Sequence, residues 1–277
     1  MIISASRRTD IPAFYAGWFM DRIREGGFES RNPFNPSQVK RISLLPEDVD
    51  VIVFWSKNPE PMLEKLDELD SRGFRYYFQY TLNDYPAYVE PGMPPLSRRL
   101  DTFRRLAARL GSGRVVWRYD PIMVGGLTPL EYHLDRFANI AGELSGDSRR
   151  VIISFADFYP GIARRLKSLE KAYGFTSYDI TLPEHRKELE LMVSGMGRTA
   201  ALKGMEIFTC SEQLELAEWG IRHGSCIDAA LTNDIFHLGL TAKKDRNQRQ
   251  GCLCAPSVDI GVYNTCRHGC SYCYACR

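Results

Sequence analysis

All eight cysteines of this 277-residue chain lie in its last quarter, at positions 210, 226, 252, 254, 266, 270, 273 and 276, and none lies in the first 209 residues. Cysteines that only fill a core behave as small hydrophobes and scatter through it, whereas ligands have to converge on one ion or cluster. The distribution favours ligation. The stretch CRHGCSYCYA, residues 266–275, spaces Cys266, Cys270 and Cys273 as CxxxCxxC. Three thiolates at those separations can hold three irons of a cubane from one short loop and leave the fourth iron without a protein ligand. Zinc sites instead close all four positions, usually with paired CxxC knuckles or Cys/His mixtures. His268 lies inside the loop, where its place between the thiols makes it an awkward fourth ligand. Cys276, beside the terminal Arg277, reads as a frayed thiol outside the triad.

Composition narrows the rest. With 44% hydrophobic and 25% charged residues the chain is too apolar to be disordered. Its length suits one domain over residues 1–277, since α/β barrels often run to about 200–250 residues as a unit. Within it, residues 205–277 form a cysteine-rich metal-binding part that includes the last strand and the cluster loop. A net charge of +2 exerts no bulk pull on nucleic acid or anionic lipid. The longest apolar strand-like run, residues 51–55, is far short of the roughly 18 residues of a membrane span, so no membrane partner is expected. The opening MIISASRRTD has neither a basic n-region nor a long apolar h-region, so a cytoplasmic location is expected. Thiols there serve metals or redox chemistry more often than disulfides.

Along the chain, strand-like runs alternate with amphipathic helical stretches, the pattern of a parallel α/β architecture. Strands are expected at 2–3, 51–55, 76–82, 115–118, 151–155, 205–208 and 258–263. Between them, PEPMLEKLDELDSRG places Met62, Leu63, Leu66 and Leu69 at helical spacing and predicts a crossover helix ending at Gly73. The strands end in polar residues, as where a barrel places its active site at the carboxyl ends.

The cysteine loop, with Tyr272 just before the last thiol of the triad, resembles that of the radical S-adenosylmethionine (SAM) superfamily, and GCSYCYA looks most like its spore photoproduct lyase branch. The blocks Thr9-Asp10, Trp55-Ser56-Lys57-Asn58 and VEPGMPPLSRRLDTFRRL are similar to further blocks of that branch, more loosely. The chain is also similar to an uncharacterised bacterial family, labelled only as a domain of unknown function, that shares the C-terminal cysteine loop. The radical SAM resemblance implies that Cys266, Cys270 and Cys273 ligate a 4Fe-4S cluster, and that SAM bound at the open iron is reductively cleaved to a 5'-deoxyadenosyl radical that abstracts hydrogen from a substrate. It implies Tyr272 near the adenine and Lys57 at the SAM carboxylate or ribose, with Thr81 as a further strand-end contact. It also implies oxygen sensitivity and a reductant such as flavodoxin or ferredoxin. The superfamily carries this loop after its first strand, whereas here it ends the chain. The fold expected is therefore a circularly permuted partial (β/α) barrel of radical SAM type, with the last strand beside the first and the termini close together.

Four thiols remain. Cys210, Cys226, Cys252 and Cys254 are enough to close a second 4Fe-4S cluster or a zinc site. Arg118 and Asp120 alternate at a strand end, so one or both are expected to point into the barrel, either as a cofactor clamp or as an architectural ion pair. The run 96–110 carries Arg98, Arg99, Arg104, Arg105 and Arg109 opposite an apolar face. It reads as a surface helix and not as a nucleic-acid stripe, because no aromatics interleave with the arginines. Lys243-Lys244-Asp245-Arg246 reads as a solvated loop, and His133 and His237 as core or surface residues. The substrate class stays open between nucleic acid, peptide and small molecule. The alternative to an enzyme is a zinc- or iron-sulfur-binding protein acting as a structural module, electron carrier or sensor.

Overall fold

The computed structural model describes residues 1–32, 35–241, 243–249 and 251–276. The first half runs β1 (Ile2–Ala5), α1 (Ile11–Phe14), α2 (Ala16–Arg24), β2 (Gly27–Asn32), β3 (Asn35–Ser43), β4 (Val51–Ser56), α3 (Glu60–Leu63), α4 (Leu66–Ser71), β5 (Tyr76–Thr81) and α5 (Leu96–Leu110). The second runs β6 (Val115–Ile122), α6 (Leu130–Glu143), β7 (Arg150–Phe155), α7 (Pro160–Tyr173), α8 (Arg186–Leu202), β8 (Glu206–Cys210), β9 (Ile221–Gly224), α9 (Ala229–Phe236) and β10 (Val258–Asp259).

Eight strands form one parallel sheet in the order β10-β1-β4-β5-β6-β7-β8-β9, and β2 and β3 pair antiparallel as a separate hairpin. The last strand does lie beside the first, with Ile3 opposite Val258 and Ser4 opposite Asp259. Among the described residues no ladder joins β9 to β10, so the pairings establish an open parallel sheet flanked by helices.

Both faces of the sheet are covered, which is why the central strands read as unbroken apolar runs. Ile52, Phe54, Tyr76, Phe78, Tyr80, Val115, Trp117, Val151 and Ile153 belong to the core that helices α1 to α6 and α8 complete. Their alternating neighbours Val51, Val53, Tyr77, Val116, Ile152 and Phe208 face a second core whose other side is Cys226, Ile227, Cys252, Cys254 and Ala255. The cysteine-rich tail thus forms the lining of one sheet face.

Several expectations are corrected by local physics. The crossover helix is split into α3 and α4 because the Lys65 N–H bonds three residues back to Met62 O, a tightened turn that still buries Met62, Leu66 and Leu69. The final strand stops at Asp259 instead of reaching residue 263. The Asp259 carboxylate accepts hydrogen bonds from Ser4 Oγ, Ser6 Oγ and the N–H groups of Arg7 and Gly261, which turns the chain and leaves Val262 exposed. Hairpin β2–β3 and strand β9 lack an apolar run and escape sequence reading. On α5, Arg99 is buried and donates to Pro94 O and Asn83 O at 3.0 and 2.8 Å, while Arg98, Arg104 and Arg109 pair with Glu60, Glu143 and Asp67. Carboxylates therefore neutralise much of the exposed arginine face. In the loop after α9, Asp245 is buried, and its N–H bonds Cys254 O at 2.8 Å.

Candidate functional site

The CxxxCxxC loop is seated on the carboxyl ends of β1, β4 and β5. His268, buried inside it, donates from Nε2 to Asp10 Oδ2 at 2.8 Å. The same Asp10 carboxylate accepts from Ser56 Oγ and Lys57 N, both at 2.7 Å, and caps α1 through Ala13 N at 3.0 Å. One acid thus ties together the ends of two strands and the loop. From the segment after β5, Gly92 N donates to His268 O at 3.0 Å and Val89 O accepts from Ser271 N at 3.0 Å. Only glycine fits there, since a Cβ at position 92 would lie 2.6 Å from His268 O. Arg165 of α7 donates to three carbonyls of the loop, those of Ser271 and Cys276 at 2.8 Å each and that of Cys273.

Lys57 and Tyr272 come together beside Cys270. The Lys57 ammonium lies 2.8 Å from Glu90 Oε1 and 5.4 Å from the centre of the Tyr272 ring, and the Tyr272 hydroxyl donates to the same Glu90 oxygen. Burial works against both charges. Glu90 and the charge of Cys270 nonetheless hold the Lys57 pKa above its ordinary value, and Lys57 with Tyr272 holds Glu90 below its own. Burial pushes the Cys270 thiol up to about 12 against the opposing pull of Lys57. Burial also raises Cys266, while the N–H groups of His268 and Asp10 favour its thiolate.

Cys276 departs from the frayed thiol expected of it. It is half-buried, its carbonyl is held by Arg165, and its sulfur lies within hydrogen-bonding reach of Cys273 and 3.6 Å from Cys266 O. Its neighbour Arg277 falls outside the described residues.

The other four thiols meet on the second sheet face. Cys210 Sγ, at the end of β8, is 2.9 Å from Cys226 Sγ. The Cys226 and Cys252 thiols both interact with that of Cys254, whose sulfur accepts from Ile227 N at 3.4 Å. Arg118 projects from β6 into this group, with Nη1 2.7 Å from Cys226 Sγ, and its Nε and Nη2 bind Asp120 Oδ2. Burial disfavours the Arg118 charge, but Asp120, Cys226 and Cys210 hold its pKa well above the ordinary value. Burial likewise works against the Asp120 carboxylate, and Arg118 with Ser154 keeps its pKa low. Thr81 lies opposite Arg118 in register and, by strand alternation, on the same face. Of the five side chains expected as cofactor contacts, Lys57 and Tyr272 meet at the loop, Arg118 with its partner Asp120 meets the second thiol group, and Thr81 lies on the sheet face of Arg118.

All eight cysteines are free thiols, and among the described residues no three His, Cys, Asp or Glu side chains are already set around a metal-ion position. A further feature marks the strand ends. Thr9 Oγ1, Trp55 Nε1, Asn58 Oδ1, Glu90 Oε2 and Ser211 Oγ are buried without a hydrogen-bond partner. Unpaired buried polar atoms are rare and costly, about 1–3 kcal/mol each. Here they follow β1, β4, β5 and β8, or close β4, at the carboxyl end.

The profile of a family described as Domain of unknown function (DUF1848) matches residues 2–275. The chain belongs to that family. No curated protein matches it. The DUF1848 match runs from β1 to Ala275 and so includes both thiol groups apart from Cys276.

Glu90, Arg165 and Asp259 carry the seat of the loop and were not legible as such. Glu90 sits in a Pro- and Tyr-rich connection and Arg165 on an amphipathic helix among other charges. Asp10 stood in a quoted block, but nothing in the chain order joined it to His268.

Proposed function

We propose that this protein is a radical SAM enzyme, a permuted partial barrel that carries its cluster loop after the strand lying beside β1. The observation that carries the reading is the juxtaposition of a three-thiol loop with a row of unpaired buried polar atoms at the carboxyl ends of one parallel sheet. The donor set fits the cofactor. Cys266, Cys270 and Cys273 feel one another's charge, and three thiols from one short loop suit three irons of a cubane. When bound, a 4Fe-4S cluster supplies the electron that cleaves SAM to a 5'-deoxyadenosyl radical.

The chain's own contribution is positional. Lys57 offers a positive charge to the SAM carboxylate, the free oxygen of Glu90 accepts a donor from the methionyl end, and Tyr272 lies towards the adenine. Arg165, Asp10 and Gly92 hold the loop against the sheet and exclude water from it. Anaerobic reconstitution with iron and sulfide, followed by reduction with SAM present, yields 5'-deoxyadenosine, and Cys270→Ala abolishes it. A fully loaded cluster that leaves SAM intact overturns the enzyme reading.

The contact of Cys276 with Cys273 favours a second reading, in which four thiolates close the site and the protein is a non-catalytic metal module, electron carrier or sensor. In that case Cys276→Ala destabilises the bound metal. In the enzyme reading Cys276→Ala leaves cluster content unchanged.

A further inference from the structure

The second thiol group is tightly gathered. The sulfurs of Cys210 and Cys226 lie 2.9 Å apart, and the Cys254 thiol interacts with those of both Cys226 and Cys252. A cubane places each thiolate on a different iron and holds its ligands well out of contact. A single tetrahedral zinc ion with bonds of about 2.3 Å draws its four sulfurs to about 3.8 Å from one another.

We propose that Cys210, Cys226, Cys252 and Cys254 form a tetrathiolate site for one zinc ion, braced by N–H to sulfur bonds from Arg118 and Ile227. The four thiols come from the end of β8, the turn after β9 and the segment 252–254, three pieces of chain that the β8–β9 ladder and the Ala255 N to Ile227 O bond bring together against an apolar core. Binding needs the Cys210–Cys226 contact to widen by about 1 Å to the tetrahedral edge, a side-chain rotation and not a refolding. Arg118 places one positive charge against a site that four thiolates would make negative, and the Ile227 N–H supplies the backbone donor typical of metal-bound thiolates. The zinc pins the tail as the lining of the sheet face opposite the helices, next to Tyr77 and Gln79, which both donate to Cys226 O. This site stands independently of the SAM reading.

The test uses the full chain with Cys266, Cys270 and Cys273 all replaced by Ala, purified anaerobically. The expected result is a colourless protein holding one zinc per chain, lost when Cys252→Ser and Cys254→Ser are added. Exchange with cobalt chloride should give the absorption of tetrahedral cobalt thiolate. Iron at this group, with or without sulfide, overturns the proposal, as does a metal-free protein. Should the triple variant fail to fold, zinc-edge X-ray absorption of the wild-type chain reads the same point. Four sulfur neighbours that are lost when Cys252→Ser and Cys254→Ser are added support the site, and four sulfurs that persist in that variant, nitrogen or oxygen neighbours, or no zinc, overturn it.

Discussion

His268 Nε2 and Asp10 Oδ2, 258 positions apart in sequence, meet at 2.8 Å, and this contact joins the last loop of the chain to the end of its first strand connection. The acid does more than bind the ring. Its two oxygens together accept from Ala13 N, Ser56 Oγ, Lys57 N and His268, so every lone-pair direction faces a donor.

Asp10→Asn is therefore expected to destabilise out of proportion to its size. The amide turns one acceptor into a donor that faces either Lys57 N and His268 or Ala13 N and Ser56. Losing charge-assisted bonds of this kind costs about 1.5–3 kcal/mol. Urea unfolding measures it, and a change below about 0.5 kcal/mol, the range of ordinary surface substitutions, would show that the contact is incidental.

Gly92→Ala tests the close approach of two loops. The added methyl collides with His268 backbone atoms at 2.6 and 2.8 Å and pushes the cysteine loop off its seat. Overpacking of this sort costs about 1–3 kcal/mol. The buried Cys270 should react faster with a thiol reagent in the metal-free variant, and an unchanged rate argues against the seat.

At the second group, Arg118→Met removes the partner of Asp120 and a donor to Cys226. Leaving a buried charge unpaired costs about 3–5 kcal/mol. The double variant Arg118→Met with Asp120→Leu should recover part of that loss, because both halves of the pair are gone. A strictly additive double-mutant cycle would refute the coupling.

His133 supplies a pH dependence. It is buried between the Tyr119 hydroxyl and Met123 O, and burial lowers its pKa from 6.5 to about 4. Between those values the unfolded chain binds a proton that the folded chain does not. Stability is thus unaffected by this group above pH 6.5, falls as the pH drops from 6.5 towards 4, and levels off below. The loss is on the order of 3 kcal/mol across that window. Unfolding curves of wild type and His133→Gln, compared at pH 7 and pH 4.5, should differ in acid sensitivity by an amount of this order. Equal slopes would mean that the ring is protonated in the fold.

Much of the sheet was legible because its strands are buried on both faces. Runs such as residues 51–55 and 76–78 are apolar throughout, and the amphipathic stretch 96–110 shows its buried face by spacing. Strand β9 and the β2–β3 hairpin were not, because most of their described side chains meet solvent and their sequence has no apolar run. The triad Cys266, Cys270 and Cys273 was legible because its members share one short loop, where spacing alone sets their separation. Arg118 and Lys57 were recognised as strand-end residues, but one chain order served both and did not separate the thiol group each belongs to.

The amino-acid sequence by itself determined the alternation of strands and helices, the pairing of a final strand with the cysteine loop, and the concentration of thiols in the tail. These are local properties, set by the period of side chains along a strand or helix and by the few residues between ligands. Only the tertiary structure decided that Asp10 receives His268, that Glu90 and Arg165 hold the loop, and that Cys210 meets Cys226 under Arg118. Contacts between residues far apart in sequence depend on which faces the packed sheet brings together, and that is fixed by the burial of the whole chain and by no single segment.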